Sequence, residues 1–313
     1  MDWSPALFSH ETTARTLKRL WLVVTDLHIG SIYGLLPPDF EYITDKSRIP
    51  VGQNRAQAKL WEYWQDVRFE VRRQNPDTIL LLSDLTDGTN RKSPGLHRSM
   101  TELDAQIQGA EAVLKPLVVS PIEGLLRKLI AVSGSGFHAS LDTSVDSNIM
   151  VRLGQREGFK GKIANLRIDG THSKKPTHRG LDGEGQPIEC SEVMVNAMHG
   201  ASAAVVYLAM LLDRTSLHAS AASAALGGSF PNFDLIIQGH LHRKMKLEAN
   251  DRTIVLCPGF KLLEPWDPLL KFYARYAVPD IGVTWLYFYD NGDIDVRFQT
   301  FPNIPMSDAL VLV

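Results

Sequence analysis

The sequence predicts a layered α/β domain, and three features of its patterning predict it. Short runs rich in Leu, Ile and Val recur with both faces apolar, as strands buried between layers require. Runs with helically spaced apolar residues lie between the early ones, so strand and helix alternate. The last strand-like runs follow one another directly, which predicts antiparallel pairing at one end.

The elements follow in order. Residues 20–25 read as the first strand. Residues 32–48 carry Pro37-Pro38 and mixed polarity and read as a long loop, within an insertion near 31–52. A helix over 53–73 follows from Leu60, Trp64, Val67 and Val71, and Asn75-Pro76-Asp77 stops it, because proline cannot continue a helix. Residues 78–83 and 129–133 read as strands, with helices over 100–114 and 121–128 between them. Residues 170–186 are rich in Gly, Lys, His and Thr and read as a second loop, near 170–190. Strands are expected at 193–198, 235–238 and 253–256, and Ala-rich residues 201–226 read as one or two helices. Asp290-Asn291-Gly292-Asp293 is a tight-turn signal, so 282–289 and 294–298 pair as a C-terminal hairpin, near 281–299. No composition break divides residues 1–313, which read as a single domain.

Composition narrows the function. Lys and Arg number 33 against 35 Asp and Glu, a net charge of −2, so no global field favours a polyanion. The longest apolar run, 201–212, is shorter than the about 20 residues that span a bilayer, so no membrane role and a cytoplasmic location are expected. Cys190 and Cys257 are far apart and make no CxxC pair, which favours a reducing compartment. No Gly-rich P-loop and no Gly-x-Ser-x-Gly elbow is present. His10, His172, His178 and His218 read as surface or helix residues. Trp266, Phe272, Tyr273 and Tyr276 read as packing groups.

The chemistry lies at the strand ends. Residues 20–25 run into Asp26-Leu27-His28, and 78–83 into Asp84-Leu85-Thr86-Asp87. Residues 129–133 run into Gly134-Ser135-Gly136-Phe137-His138, 193–198 into His199-Gly200, and 235–238 into Gly239-His240-Leu241-His242. In α/β sheets the carboxyl ends of strands converge on one rim, where sites assemble. Carboxylates crowded there are costly unless a cation is present. Carboxylate and imidazole without thiolate suit Mn, Fe or Zn.

This order of motifs resembles the calcineurin-like metallophosphoesterases, over roughly residues 20–260. The resemblance implies two packed mixed β-sheets flanked by helices in four layers. It implies two divalent cations: one held by Asp26, His28 and His242, the other by His199 and His240, with Asp84 bridging. His138 would be the catalytic histidine, contacting the phosphate or protonating the leaving oxygen. Two positions depart from the family pattern. Ser83 replaces the usual Gly, and Ser135 stands where the motif has a metal-binding Asn. The Gly-Ser-x-x-His form is similar to that of phage-type members. Ser135 is a candidate for a further ligand; a hydroxyl is a weaker ligand than an amide oxygen, so the second cation would be held more loosely, or water would complete its shell. Asp87 reads as a turn group or as a group that steadies a ligand. The implied activity is hydrolysis of phosphate esters by a metal-bound hydroxide, leaning to phosphodiesters or nucleic acid. The alternatives are a phosphomonoesterase or protein phosphatase and a non-catalytic metal-binding scaffold. Lys174, Lys175 and Arg179 are candidate substrate contacts.

Overall fold

The computed structural model describes residues 15–89, 97–119, 126–136, 138, 144–174, 179–181, 187–189, 191–200, 221, 225, 232–249, 252–262 and 278–312. Along the chain these form β1 (Leu17–Val24), β2 (Phe40–Ile43), β3 (Arg48–Val51), α1 (Arg55–Gln74), β4 (Thr78–Leu81), α2 (Leu103–Val118), β5 (Lys128–Ala131), α3 (Ser144–Arg152) and β6 (Ile163–Ile168). Then come β7 (Arg179–Leu181), β8 (Pro187–Glu189), β9 (Val193–Met198), β10 (Leu235–Gln238), β11 (Met245–Ala249), β12 (Arg252–Leu256), β13 (Ile281–Tyr289) and β14 (Ile294–Phe301).

Two five-stranded mixed sheets form the centre, ordered β14-β13-β1-β4-β5 and β11-β12-β10-β9-β6. Each has three parallel strands: β1, β4 and β5 in the first, β9, β10 and β12 in the second. Antiparallel strands complete them. The pattern of apolar faces explains the layering. Trp21, Val23, Leu80 and Leu82 of the first sheet pack against Val195, Ala197, Leu235 and Ile237 of the second. The opposite face of the first sheet, with Leu22, Val24, Ile79 and Leu81, packs on α1, α2 and α3 through residues such as Leu60, Trp64, Val113 and Ile149. Burial on both faces is why these strands read as continuous apolar runs. The outer face of the second sheet carries Met194, Ile236 and Ile254. The helices expected over 201–226 fall almost wholly outside the described residues, so three of the four expected layers are described.

α1 forms where its spacing predicts. Asn54 accepts from the Gln57 amide at 2.8 Å and Gln57 Oε1 accepts from the Asn54 amide at 3.1 Å, a capping box. Asn75 ends the helix in the left-handed region at φ 49°. Three sequence expectations change, the first being that the loop near 170–190 contains the β7–β8 hairpin, with Arg179 opposite Glu189. Within 32–48, β2 begins a hairpin with β3, with Phe40 opposite Val51, so the loop contains strands. In 121–128, residues 120–125 lie outside the description. Leu126 bridges to Val119 and Lys128 opens β5, so that end is extended rather than helical. The hairpin at the end of the chain is present as expected.

Candidate metal centre

The site is built from turns that leave parallel strands. β1 leads to Asp26 and His28, β4 to Asp84 and Asp87, β5 to Ser135, β9 to His199 and β10 to His240 and His242. These turns are sharp. Asp26, His28, Asp84, His240 and His242 all have positive φ, between 43° and 72°. A side chain with a β-carbon pays about 1–2 kcal/mol in that region, so the scaffold holds the ligand-type residues in conformations they would not choose alone. Close backbone approach needs glycine beside them. A β-carbon on Gly134 would lie 2.1 Å from Asp84 Oδ1.

The six side chains anticipated as ligands come together. His242 Nε2 is 3.0 Å from Asp26 Oδ1, and His28 Nε2 is 3.7 Å from the same oxygen. His199 Nε2 is 2.9 Å from Asp84 Oδ2 and 3.2 Å from His240 Nδ1. It is also 4.0 Å from Asp26 Oδ1, so the two halves adjoin. Three sets of potential ligand atoms lie within 4.8 Å of one another: Asp26, His28 and His242; Asp84, His199 and His240; and His28, Asp84 and His138. The third set was not anticipated from the sequence.

Neighbouring groups aim these atoms. Thr25 Oγ1 donates to Asp26 Oδ2 at 2.6 Å, and the His240 amide donates to the same oxygen at 3.0 Å, leaving Oδ1 to face the imidazoles. The His199 Nδ1–H donates to the Leu82 carbonyl at 2.6 Å, which turns Nε2 toward the site. Ser135 donates to Asp84 through its amide, 2.8 Å, and its hydroxyl, 3.2 Å. Its side chain is therefore turned onto the carboxylate.

The electrostatics follow from burial and crowding. Burial opposes ionisation of Asp26 and Asp84, but the surrounding imidazoles, His199 above all at Asp84 and His242 and His199 at Asp26, hold both carboxyls below the usual range. His199 is pushed up to about 10; burial opposes this, and Asp84 and Asp26 outweigh it. Burial lowers His138 to about 4. Burial and then His199 lower His240.

A divalent cation fits this donor set. Both ring nitrogens of His28 are buried without a hydrogen-bond partner, an arrangement that costs free energy unless something else binds there. Two carboxylates sit among four imidazoles with no thiolate, which suits Mn, Fe or Zn.

Asp87 lies outside the three clusters. Its Oδ1 is 3.5 Å from His28 Nδ1 and 3.7 Å from His138 Nδ1, and its carbonyl takes a hydrogen bond from His138 Nδ1 at 2.8 Å. It therefore lies against the imidazoles of His28 and His138. Burial opposes its ionisation, yet His28 and Lys261 lower it to about 2. Lys174 is a correction: it pairs with Asp293 in the β13–β14 turn. That turn meets Thr16, just before β1, at the opposite end of the strand from Asp26. At about 3.3 Å per residue the eight residues of β1 separate the two by roughly 26 Å, so Lys174 does not line the centre. Arg179 lies in β7, whose side chains are not described, and Lys175, Trp266, Phe272, Tyr273 and Tyr276 lie outside the described residues. Three neighbours of the site escaped the sequence-level ligand set: Thr25, Asp146 and Lys261. Lys261 had a signal, since it follows the end of β12 as the other groups follow their strands.

No protein-family model and no curated protein matches the chain. Among solved structures it is similar to Vps29 of Chaetomium thermophilum, at 12% identity over 91% of this chain and 98% of that one, with a TM-score of 0.40. Vacuolar Protein Sorting 29 from Cryptosporidium parvum gives 13% identity over 92% and 100%, with a TM-score of 0.39. A novel archaeal phosphodiesterase gives 9% identity over 90% and 99%, with a TM-score of 0.38. At these values the likenesses assign neither family nor activity, and any functional reading rests on the residues of the centre. Among the described residues no helix is long and apolar enough to cross a membrane.

Proposed function

We propose that the protein is a metal-dependent phosphoesterase that hydrolyses phosphate esters at two divalent cations, with phosphodiesters or nucleic acid as its substrate class. Asp26, His28 and His242 would hold one cation, His199 and His240 the other, with Asp84 between them. The observation that carries this reading is the pair of adjoining Asp/His clusters on one rim. Two cations there would lower the pKa of a bound water and offset charge on phosphoryl oxygens.

The protein's own groups do the positioning. Thr25 and the His240 amide fix the Asp26 carboxylate, Ser135 fixes Asp84, and the Leu82 carbonyl orients the His199 ring. His138 is neutral at pH 7, with its proton on Nδ1 against the Asp87 carbonyl, so Nε2 carries a lone pair. That atom accepts a proton or a hydrogen bond. Its role is then closer to that of a base near the attacking water than to that of a donor to the leaving oxygen. Ser135 donates its hydroxyl proton to Asp84, which turns that side chain toward the carboxylate, and water would complete the shell of the second cation. Phosphodiester preference follows from the likeness of Gly134-Ser135 and His138 to phage-type sequences.

Assays of a chromogenic phosphodiester, the matching monoester and single-stranded DNA, each with Mn²⁺, test the reading. Turnover of the diester is expected, with His240→Ala lowering kcat/KM by about 100-fold or more. No turnover with any divalent metal would instead make the centre a metal-binding scaffold.

A further inference from the structure

Asp26 is tied by Thr25 and the His240 amide, Asp84 by Ser135, and His199 by the Leu82 carbonyl. His28 has no such tie: among the described residues, both of its ring nitrogens are buried with no hydrogen-bond partner. Its Nε2 faces Asp26 Oδ1 at 3.7 Å, and its Nδ1 faces Asp87 Oδ1 at 3.5 Å. That Asp87 oxygen is also buried with no hydrogen-bond partner. A donor and an acceptor, both unsatisfied, thus face each other. Closing the gap to hydrogen-bond length takes a shift of about half an ångström. His138 does not compete for the carboxylate, because its Nδ1–H goes to the Asp87 main-chain carbonyl at 2.8 Å.

Two cations flank Asp87. Arg98 Nε is 3.7 Å from Asp87 Oδ2, and Lys261 Nζ is 3.9 Å from Oδ1. Asp87 and Lys261 are buried, and the Arg98 side chain is 10% exposed. A cation taken out of water is costly without a counter-charge, and the carboxylate supplies one to both. The backbone mounts them on the turn that carries His28. The Ile32 amide donates to the His97 carbonyl at 2.9 Å, and the Ser99 amide to the Gly30 carbonyl at 2.8 Å. These bonds bracket Arg98 against the residues just after His28. The Phe260 amide donates to the Asp26 carbonyl at 3.0 Å, and the Leu262 amide to the Tyr33 carbonyl at 2.9 Å. Lys261 is bracketed in the same way. Segments far apart in sequence are thereby fastened together, with Asp87 where their charged side chains meet.

We propose that Arg98 and Lys261 are positioning residues: acting through Asp87, they fix the ring of His28 so that its Nε2 is presented beside Asp26 and His242. A histidine that holds a metal commonly donates its other ring N–H to a carboxylate, which sets ring orientation and tautomer. Asp87 is the carboxylate in place to accept from His28 Nδ1, and the two cations set where that carboxylate lies. This role rests on the proposed function only in that His28 holds a cation, and not on the reaction that follows. It also has a sign. A positive side chain beside a metal centre repels the metal through charge alone. Arg98 and Lys261 acting only as charges would weaken metal binding, whereas acting through Asp87 they strengthen it.

The test has two readouts on the full chain. Zinc affinity is measured by competition with a chromogenic chelator. The His28 Nδ1 proton is read by NMR of the zinc-loaded protein, isotope-labelled at histidine, and assigned by its loss in His28→Asn. Asp87→Asn keeps the shape and an oxygen acceptor but loses the charge. It should weaken the binding of one ion about tenfold or more and move the His28 proton. Arg98→Gln and Lys261→Gln should each weaken the same ion and move the same proton, and Arg98→Lys, which keeps the charge, should restore most of both. In the Asp87→Asn background, Arg98→Gln should change zinc affinity no further. Zinc binding unchanged or tighter in Arg98→Gln or in Lys261→Gln overturns the role of that residue. A His28 proton unmoved in Asp87→Asn overturns the whole proposal; if that variant does not fold, the same proton in Arg98→Gln and Lys261→Gln decides. Zinc binding without phosphoester turnover would sink the phosphoesterase reading and leave this role standing, while no zinc uptake at all would overturn both.

Discussion

Thr25 is a small residue with a large share in the centre. Its hydroxyl, 2.6 Å from Asp26 Oδ2, ties down the oxygen that faces away from the imidazoles. Thr25→Val keeps the shape, removes the donor and frees the carboxylate to rotate. Metal affinity, read by competition with a chromogenic chelator, is expected to fall about 10–100-fold with the fold retained; an unaltered affinity would contradict the assigned role. Residues such as Asp26 and His242 could be found in the sequence because each follows an apolar run that can only be a buried strand. Thr25 could not, because its hydroxyl looks like the last residue of the strand until the carboxylate beside it is placed. His138 shows the same limit. Its position was readable, but which of its nitrogens carries the proton depends on the Asp87 carbonyl.

At the scale of elements, α1 and α3 contrast. α1 buries one stripe, Leu60, Trp64, Val67 and Val71, all at most 1% exposed, so its period stood out. Its capping box holds the start of the helix, and the Asn54 amide also donates to the Ile32 carbonyl. Asn54→Ala should therefore cost about 1–2 kcal/mol in urea unfolding. α3 is nine residues long and was not readable, and β6 and β11 are sheet edges whose polar residues interrupt the apolar run. Yet α3 supports the site from below. Asp146 Oδ2 accepts the Gly134 amide at 2.9 Å, pinning the turn that carries Ser135. Burial raises the Asp146 carboxyl from 3.8 to about 6. A carboxyl raised in the fold binds its proton more tightly there than in the unfolded chain. Its contribution is thus fully present below pH 3.8 and lost as pH rises through 6, about 3 kcal/mol in all. Asp146→Asn cannot ionise, so unfolding measured from about pH 4 to 8 should show the variant gaining on the native protein as pH rises. A difference independent of pH would contradict this account.

Across the whole molecule, the centre exists because two sheets present the carboxyl ends of their parallel strands to one rim. Asp26 and His242 touch although 216 residues separate them. The sequence showed residues of metal-ligand type directly after strand-like runs. It did not show which sheet each strand would join, since Leu- and Val-rich runs buried on both faces are alike to any pairing rule. The loops near 32–48 and 170–186 were harder still, because their short strands pair only with each other. The metal content of the purified, reconstituted protein tests the central claim most directly. About two divalent ions per chain are expected, falling by about one in His242→Ala or His240→Ala and to near none in Asp84→Ala, with melting transitions still cooperative. Less than one ion per chain in the native protein, or a content the three substitutions leave unchanged, would contradict it.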